Sequence, residues 1–517
     1  MITTRKKIES FRKKRKKIFK GTGETGIEKQ HKKGKLTARE RIALLIDINT
    51  WQEINSFVKH RATNFGMDKI DIPSEGVITG VSRVRDKIVY IASQDFTARG
   101  GSVGEMHAEK ICAIMDMALK TGDPIVLFND SGGARIQEGV DSLSGYGKIF
   151  YRNTLLSGVV PQIAVVCGPC AGGAAYSPAL MDFIIMVKNT SQMYITGPQV
   201  IKEVTGENID GENLGGAIIN AQISGNIHFV AQNDQEAIEI VNKLLYFLPS
   251  NNTEDGYLNA NQDIIWNEDN FLNNIIPDNP KESYNMHKII QHISDNGDFL
   301  EVKALFARNI ITGFSKINGV TVGIVANNPL FKAGVLDIDA SDKSAEFIRF
   351  CNVFNIPIIT FVDVPGFIPG VEQEYGGVIR HGAKMLFAYA SSTVPKITII
   401  TRKAYGGAYL AMSAKSMGTD RVAAWPTAEI AVMGAQGAAN IIFRKEILTS
   451  ENPDETKKQK IEEYQNEFST PYIAASRGLI DSIIEPKDTR KYIALSLDIL
   501  KSKNDIRPPK KHGLIPM

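Results

Sequence analysis

Two stretches of this chain share one frame. PQIAVVCGPCAGGAAY runs from Pro161 to Tyr176, and PKITIITRKAYGGAYL runs from Pro395 to Leu410. In each, a proline opens an apolar, strand-like run, and a Gly-Gly-Ala turn begins eleven residues after it. Unrelated loops rarely share such spacing, so the frame points to an internal duplication. The surrounding segments keep the same order twice. EGVITGVSRVRDKIVYIASQD (75–95) and TGFSKINGVTVGIVANNP (312–329) both alternate apolar and polar residues about a turn, the pattern of a β-hairpin. A helical segment comes after each, Glu105–Lys120 and SDKSAEFIRFCNVFN. Buried strands then run into Gly- or Pro-rich loops, DPIVLFNDSGGARIQEG and IPIITFVDVPGFIPG. Strands alternating with helices predict an α/β fold with largely parallel pairing, built twice.

A chain of 517 residues is too long for one ordinary core, so two domains are expected. The Asn-, Asp- and Pro-rich stretch from Leu248 to Pro280 reads as the crossing between the halves, within a region of weaker pattern from about 231 to 295. Between the N-terminus and the first half, KLTARERIALLID predicts an amphipathic helix with a capping box, Thr37 as N-cap and Glu40 three residues on. The basic segment before it has Ile8, Phe11, Arg15, Ile18 and Phe19 at helical spacing. Such a helix can serve a nucleic-acid or membrane-surface role, or pack on its own protein through the Ile/Phe stripe. The latter is the preferred reading, and no nucleic-acid partner is expected. No run of about 18 apolar residues occurs, so no membrane span is expected. The segment lacks the apolar core of a secretory signal, and it carries more Lys than a transit peptide favours.

The four cysteines do not form a disulfide framework. Cys167 and Cys170 have CxxC spacing, which admits zinc, redox chemistry or two small residues lining a tight turn. The last is preferred, because no second ligand pair stands at finger-like spacing. Reduced thiols and a cytoplasmic location follow from that usage. No metal is expected to be bound by this chain.

The turns themselves carry the chemistry. A Gly-Gly-Ala turn heading a helix leaves backbone N–H groups without intrahelical partners, in a field that favours negative charge. Glycine lets a ligand approach the backbone closely. Two such amides aimed at one oxygen make an oxyanion hole; a phosphate site is the competing use, and close helix packing needs no ligand at all. Two matched turns suit a reaction that develops negative charge on two partners. No GxxxxGK[ST] or HExxH pattern is present. Asp141, Asp337, Asp339 and Asp363 stand where helix caps stand and make no evident acid/base pair.

These segments resemble the carboxyltransferase (β) subunits of biotin-dependent acyl-CoA carboxylases, in the group of propionyl-CoA carboxylase β and methylmalonyl-CoA decarboxylase α subunits. The resemblance covers roughly 30–517 and rests on blocks such as DSGGARIQEGVDSLSGYGKIF, GPCAGGAAYSPALMDF, FIRFCNVFNIPIITFVDVPGFIPG and AWPTAEIAVMGAQGAANIIFRKEI. It implies a duplicated crotonase-like (ClpP/crotonase) fold. The domains would be a basic N-terminal helix (1–30), an acyl-CoA-side domain (31–270) and a biotin-side domain (271–517). It implies transfer of CO2 from carboxybiotin to the α-carbon of a short-chain acyl-CoA such as propionyl-CoA. Gly172 and Gly173 would hold one oxyanion, and Gly407 and Ala408 the other. Ala134, Arg135, Tyr146, Tyr176 and Leu410 would bind substrate. The site would lie between the N-half of one protomer and the C-half of another, in a homohexamer built as a trimer of dimers. Where propionyl-type enzymes commonly carry Asp after GGAY, this chain has Leu410. Decarboxylase α subunits, which run the transfer in reverse, are among those with an aliphatic residue there.

No AMKM biotin-acceptor motif and no ATP-grasp signature occurs. The resemblance therefore implies a separate biotin carboxyl carrier protein and a biotin carboxylase subunit as partners. A crotonase-type hydratase would need one oxyanion hole and an acid/base carboxylate, which leaves the second turn unexplained. A basic-tailed scaffold protein leaves both unexplained.

Overall fold

The computed structural model describes residues 3–257, 269–280 and 282–517. The chain divides into two compact units, Met1–Asn252 and Thr253–Met517. The division falls inside the polar stretch expected as the crossing; residues 258–268 of that stretch lie outside the described residues.

In the first unit the strands are β1 (Gln52–Ile54), β2 (Val77–Val84), β3 (Lys87–Gln94), β4 (Ile125–Ser131), β5 (Gln162–Ala171), β6 (Phe183–Val187), β7 (Gln192–Tyr194) and β8 (Phe229–Ala231). Their order is β1-β2-β3-β4-β5-β6-β8, with β7 attached to β5. The hairpin side is antiparallel, and pairing from β3 onward is parallel. In the second unit they are β9 (Phe299–Val302), β10 (Ile310–Ile317), β11 (Val320–Asn327), β12 (Ile358–Val364), β13 (Lys396–Tyr405), β14 (Arg421–Ala424), β15 (Glu429–Ala431) and β16 (Ser482–Ile483). The order repeats: β9-β10-β11-β12-β13-β14-β16, with β15 on β13. Parallel strands covered on both faces read as continuous apolar runs, which is why IAVV in β5 and ITII in β13 are wholly buried.

The duplication extends to an irregularity. The β4–β5 register shifts between Asn129 and Ser131, and the β12–β13 register shifts between Val362 and Val364. Each long strand therefore forks. β5 pairs with β6 over Ile163–Val166 and with β7 over Pro169–Ala171. β13 pairs with β14 over Ile397–Ile400 and with β15 over Lys403–Tyr405. A break of this kind bends a strand and re-aims the residues beyond it; here those residues are a Gly-Gly-Ala turn in both units.

Helices Glu105–Thr121 and Ile338–Val353 cover the sheets at matching places. Each buries a lysine at its sixth residue. Lys110 donates to the Ser74 carbonyl at 2.6 Å and the Val77 carbonyl at 2.5 Å, and Lys343 to the Phe306 and Ile310 carbonyls at 2.8 Å each. Burial pulls both ammonium groups down to about 7, from an ordinary value near 10.5. Between those pH values the unfolded chain holds more protons than the folded one, so the two lysines contribute stability that rises with pH across that window. Urea unfolding of the wild type and of Lys110→Met/Lys343→Met at pH 7 and pH 9 should show the difference between them widening in favour of the wild type at the higher pH. A constant difference would remove this account of the lysines.

Thr37 caps the helix Ala38–Leu45 and forms the full capping box with Glu40. The basic leader is two helices, Thr4–Lys20 and Glu24–His31, parted by Gly21 and Gly23, both at positive φ. The Ile/Phe stripe packs only in part: Phe11 stacks on Phe57 at 6.0 Å and the Arg39 guanidinium lies over Phe19 at 4.3 Å, while Ile8, Phe11 and Phe19 stay exposed. Asp234–Phe247, inside the region of weak pattern, is a regular helix capped by Asn233. Polar residues in its first turn hide the spacing of Ala237, Ile238, Val241, Leu244 and Leu245, which it buries. Among the described residues no helix is long and apolar enough to cross a membrane.

Candidate active site

Each forked strand delivers its turn in the same conformation. Gly172 and Gly406 take φ of +61° and +57°, the left-handed region that a side chain disfavours. A Cβ on Gly406 would also stand 2.9 Å from the Val432 carbonyl oxygen. The next residues, Gly173 and Gly407, are exposed and outside that region; a Cβ on either would meet nothing within 4 Å. Their amides head a helical turn, where N–H groups lack intrahelical partners. The alanines after them, Ala174 and Ala408, are buried. The equivalent residues are thus Gly172 and Gly406, Gly173 and Gly407, Ala174 and Ala408. The expected sets, Gly172–Gly173 and Gly407–Ala408, differ by one residue of register.

A second loop stands beside each turn. After β4 the chain bridges Val103 to Ala134, and after β12 it bridges Leu336 to Phe367. A Cβ on Gly133 would lie 3.7 Å from the carbonyl oxygen of Ala171, the residue before the first turn. Ala134 therefore has a counterpart in Phe367, and the match of DVPGF to DSGGA sets the two at the same position.

A buried carboxylate anchors the end of each fourth strand. Asp130 accepts from Lys35 at 2.6 Å, Arg41 at 3.0 Å and Gln30 at 3.1 Å, and Arg41 also reaches Asp234 at 3.0 Å. Asp363 pairs with Arg402 at 3.0 Å and accepts from the Lys403 amide at 3.1 Å. In both units the amide of this Asp donates to a side-chain amide on the preceding hairpin strand, Gln94 or Asn327. Asp337, by contrast, is an N-cap, accepting from the Ala340 amide.

The remaining expected substrate residues separate. Arg135 is 1% exposed and turned inward, ion-paired with Glu75 and with Glu138, and bonded to the Ser102 carbonyl. Its guanidinium braces the loop that presents Ala134. Tyr146 is buried and packs on Phe150, ring centroids 5.8 Å apart. Tyr176 is half exposed in the helical turn after the first Gly-Gly, edge-on to Phe150 at 6.1 Å. Leu410 is partly exposed and lines a cavity of about 490 Å³ with Gly406, Gly407, Val432, Phe468 and Leu479. Nearly half of that wall comes from residues 464–479, which carry no motif or periodicity that marks them as part of a site.

Cys167 and Cys170 lie in β5 and are buried. Burial pushes the Cys170 thiol up to about 12 and the Cys167 thiol well above its ordinary value, so neither holds a thiolate near neutral pH. Among the described residues no group of His, Cys, Asp and Glu side chains could hold a metal ion.

A carboxyl transferase domain model matches residues 29–515. The chain belongs to the carboxyl transferase family. It is 57% identical, over the whole of both chains, to the methylmalonyl-CoA decarboxylase subunit alpha of Propionigenium modestum. It is 56% identical to the methylmalonyl-CoA carboxyltransferase 12S subunit of Propionibacterium freudenreichii subsp. shermanii, covering 99% of this chain and 97% of that one. A solved transcarboxylase 12S, described as a hexamer assembly with methylmalonyl-coenzyme A and methylmalonic acid bound, superposes with a TM-score of 0.97 at 56% identity, covering 100% of this chain and 99% of that one. The two α/β units are those of this family, with its crotonase-like fold, and the protein is a carboxyltransferase of the biotin-dependent class.

Proposed function

We propose that this chain is the carboxyltransferase subunit of a biotin-dependent acyl-CoA carboxylase, exchanging a carboxyl group between carrier-borne biotin and the α-carbon of a short-chain acyl-CoA such as propionyl-CoA. The observation that carries this reading is the pair of open turns, Gly173 and Gly407, each delivered by a forked strand. One turn suits the enolate oxygen of a thioester and the other the ureido oxygen of biotin. Free N–H groups held in place stabilise such an oxygen as charge develops on it, without reorganising. The apolar cavity beside Gly407 suits the bicyclic body of biotin and an acyl methyl group. When presented, biotin supplies the activated carboxyl group; the chain positions the partners and excludes water. The partners would be a biotin carboxyl carrier protein and a biotin carboxylase subunit, and the assembly a hexamer of this chain in the cytoplasm.

The opposite direction, decarboxylation of methylmalonyl-CoA with biotin as acceptor, has its own support: relatives at 57% and 56% identity are decarboxylase α subunits. One experiment tests the shared chemistry. The purified chain should carry no covalent biotin on an avidin blot, and it should decarboxylate methylmalonyl-CoA only when free biotin or a biotinyl carrier is added. Biotin bound covalently to the chain itself, or no biotin-dependent turnover, would overturn the reading.

Leu410 should set acyl preference. Each buried CH2 is worth about 0.8 kcal/mol, or roughly fourfold in kcat/KM. Leu410→Asp should shift the ratios among acetyl-, propionyl- and butyryl-CoA by at least about that factor. Ratios within about twofold of wild type, well short of that burial effect, would place Leu410 outside the acyl pocket.

A further inference from the structure

Charge is unevenly placed along this chain. Residues 1–35 hold fourteen Lys and Arg against three Glu, a net +11, while the whole chain is +3. The other 482 residues are therefore net −8. Helix Thr4–Lys20 concentrates the excess, with ten cations and one Glu in 17 residues. It buries no residue, and all ten cations are exposed. Arg5 pairs with Glu9 of its own helix at 3.2 Å, and Lys17 pairs with Asp71 at 2.7 Å. The other eight make no ion pair among the described residues. The rest of the chain, for all its negative charge, neutralises one cation of this helix and leaves the others to a partner.

Apolar side chains accompany the charge. Ile8, Phe11 and Phe19 are exposed on the same helix. Phe11 stacks on Phe57, which is itself exposed, so the apolar strip runs from the helix onto the adjoining loop. Arg12 and Arg15 stand one turn after Ile8 and Phe11, on the same side of the helix. Beside the C-terminal part of the helix lies a cavity of about 380 Å³ lined by Ile18, Phe57, Ile72 and Pro73, so close packing does not seal the helix onto the unit. A nucleic-acid backbone would answer the cations and offer nothing to Ile8, Phe11 and Phe57. A bilayer surface answers both: anionic headgroups meet Lys and Arg, and the boundary between headgroups and acyl chains takes Ile and Phe. Such a surface repels the net negative remainder of the chain, which leaves the helix as the part that faces it.

We infer that helix Thr4–Lys20 lays this protein on an anionic lipid surface, with Ile8, Phe11 and Phe57 at the acyl boundary and the lysines and arginines among the headgroups. The inference is independent of the carboxyltransferase reading, and its test needs no turnover. The full-length chain is floated with vesicles of phosphatidylcholine alone, or of phosphatidylcholine with about 30 mol% phosphatidylglycerol. The wild type should float with the anionic vesicles and not with the neutral ones, and about 0.5 M salt should release it. Each basic residue beside an anionic surface strengthens binding roughly fivefold. Arg12→Gln/Lys13→Gln/Lys16→Gln should therefore bind the anionic vesicles at least about tenfold more weakly. Ile8→Ser/Phe11→Ser keeps every charge and should still bind at least about fivefold more weakly, through lost apolar burial. All five substituted side chains are exposed, so both variants should unfold thermally at the wild-type temperature. A DNA duplex at equal charge, present as competitor, should leave the wild type on the vesicles. No flotation of the wild type, or flotation unchanged in either variant, overturns the inference. Release by the duplex overturns it in favour of a nucleic-acid partner.

Discussion

Gly173→Val and Gly407→Val should each lower carboxyl transfer by about 10²–10³, the usual cost of losing one oxyanion contact. The structure makes these clean substitutions. Neither residue takes a positive φ, and a Cβ at either meets nothing within 4 Å, so valine should fill only the space a substrate oxygen needs. Gly172 and Gly406 would be poor choices, because their left-handed backbone is strained by any side chain. Co-expression then tests the proposed sharing of sites between protomers. If each site joins the first unit of one chain to the second unit of its neighbour, a mixed dimer holds one doubly damaged site and one intact site. Random pairing makes about half the dimers mixed, so about a quarter of wild-type activity should return, by the symmetry of an isologous pair. Native mass measurement shows whether both variants assemble. With assembly shown, no recovery would leave each turn in a separate single-chain pocket.

Asp130→Ala should produce the largest loss of stability. The carboxylate is fully buried and holds Lys35 and Arg41, themselves 5% and 0% exposed. Removing it leaves two buried cations with one remaining carboxylate, Asp234, which reaches only Arg41. Breaking a buried network by deleting one partner costs about 3–5 kcal/mol. For a unit of this size each kcal/mol moves Tm by roughly 2–4 °C, so calorimetry should show a drop of about 10 °C in one transition. Activity should fall with it, since Asp130 adjoins the loop that presents Ala134. Gly168 belongs to the same arrangement: a Cβ there would stand 2.0 Å from an Asp130 oxygen. A Tm change under about 2 °C, less than one kcal/mol on that scale, would mean that water replaces the carboxylate.

Periodicity and turn chemistry are local, and the elements that depend on them are legible in the chain itself. The two hairpins, the matched helices, the Thr37 capping box and the two Gly-Gly-Ala turns all lie within short windows of the sequence. Periods of two and about 3.6 residues report which face of such a window is buried. The repeated frame multiplies the information, because each half serves as a template for reading the other.

Where the local signal is masked, the reading weakens. The helix Asp234–Phe247 begins with three polar residues. Arg135 and Tyr146 sit in a motif-rich stretch, and motif logic alone assigns their side chains to substrate. Their orientation depends on Glu75, far earlier in the chain, and on the apolar layer over β4 and β5. No spacing rule carries that.

The sequence alone determined that this is a duplicated α/β chain with two matched Gly-Gly-Ala turns, because turns and strands are specified by neighbours in the chain. Only the tertiary structure decided where those turns point. The register shift that forks β5 and β13, the inward arginine behind Ala134, and the cavity that residues 464–479 close over Leu410 each join residues tens of positions apart. Such contacts form only once the sheet has folded, and their geometry is set by packing across the fold.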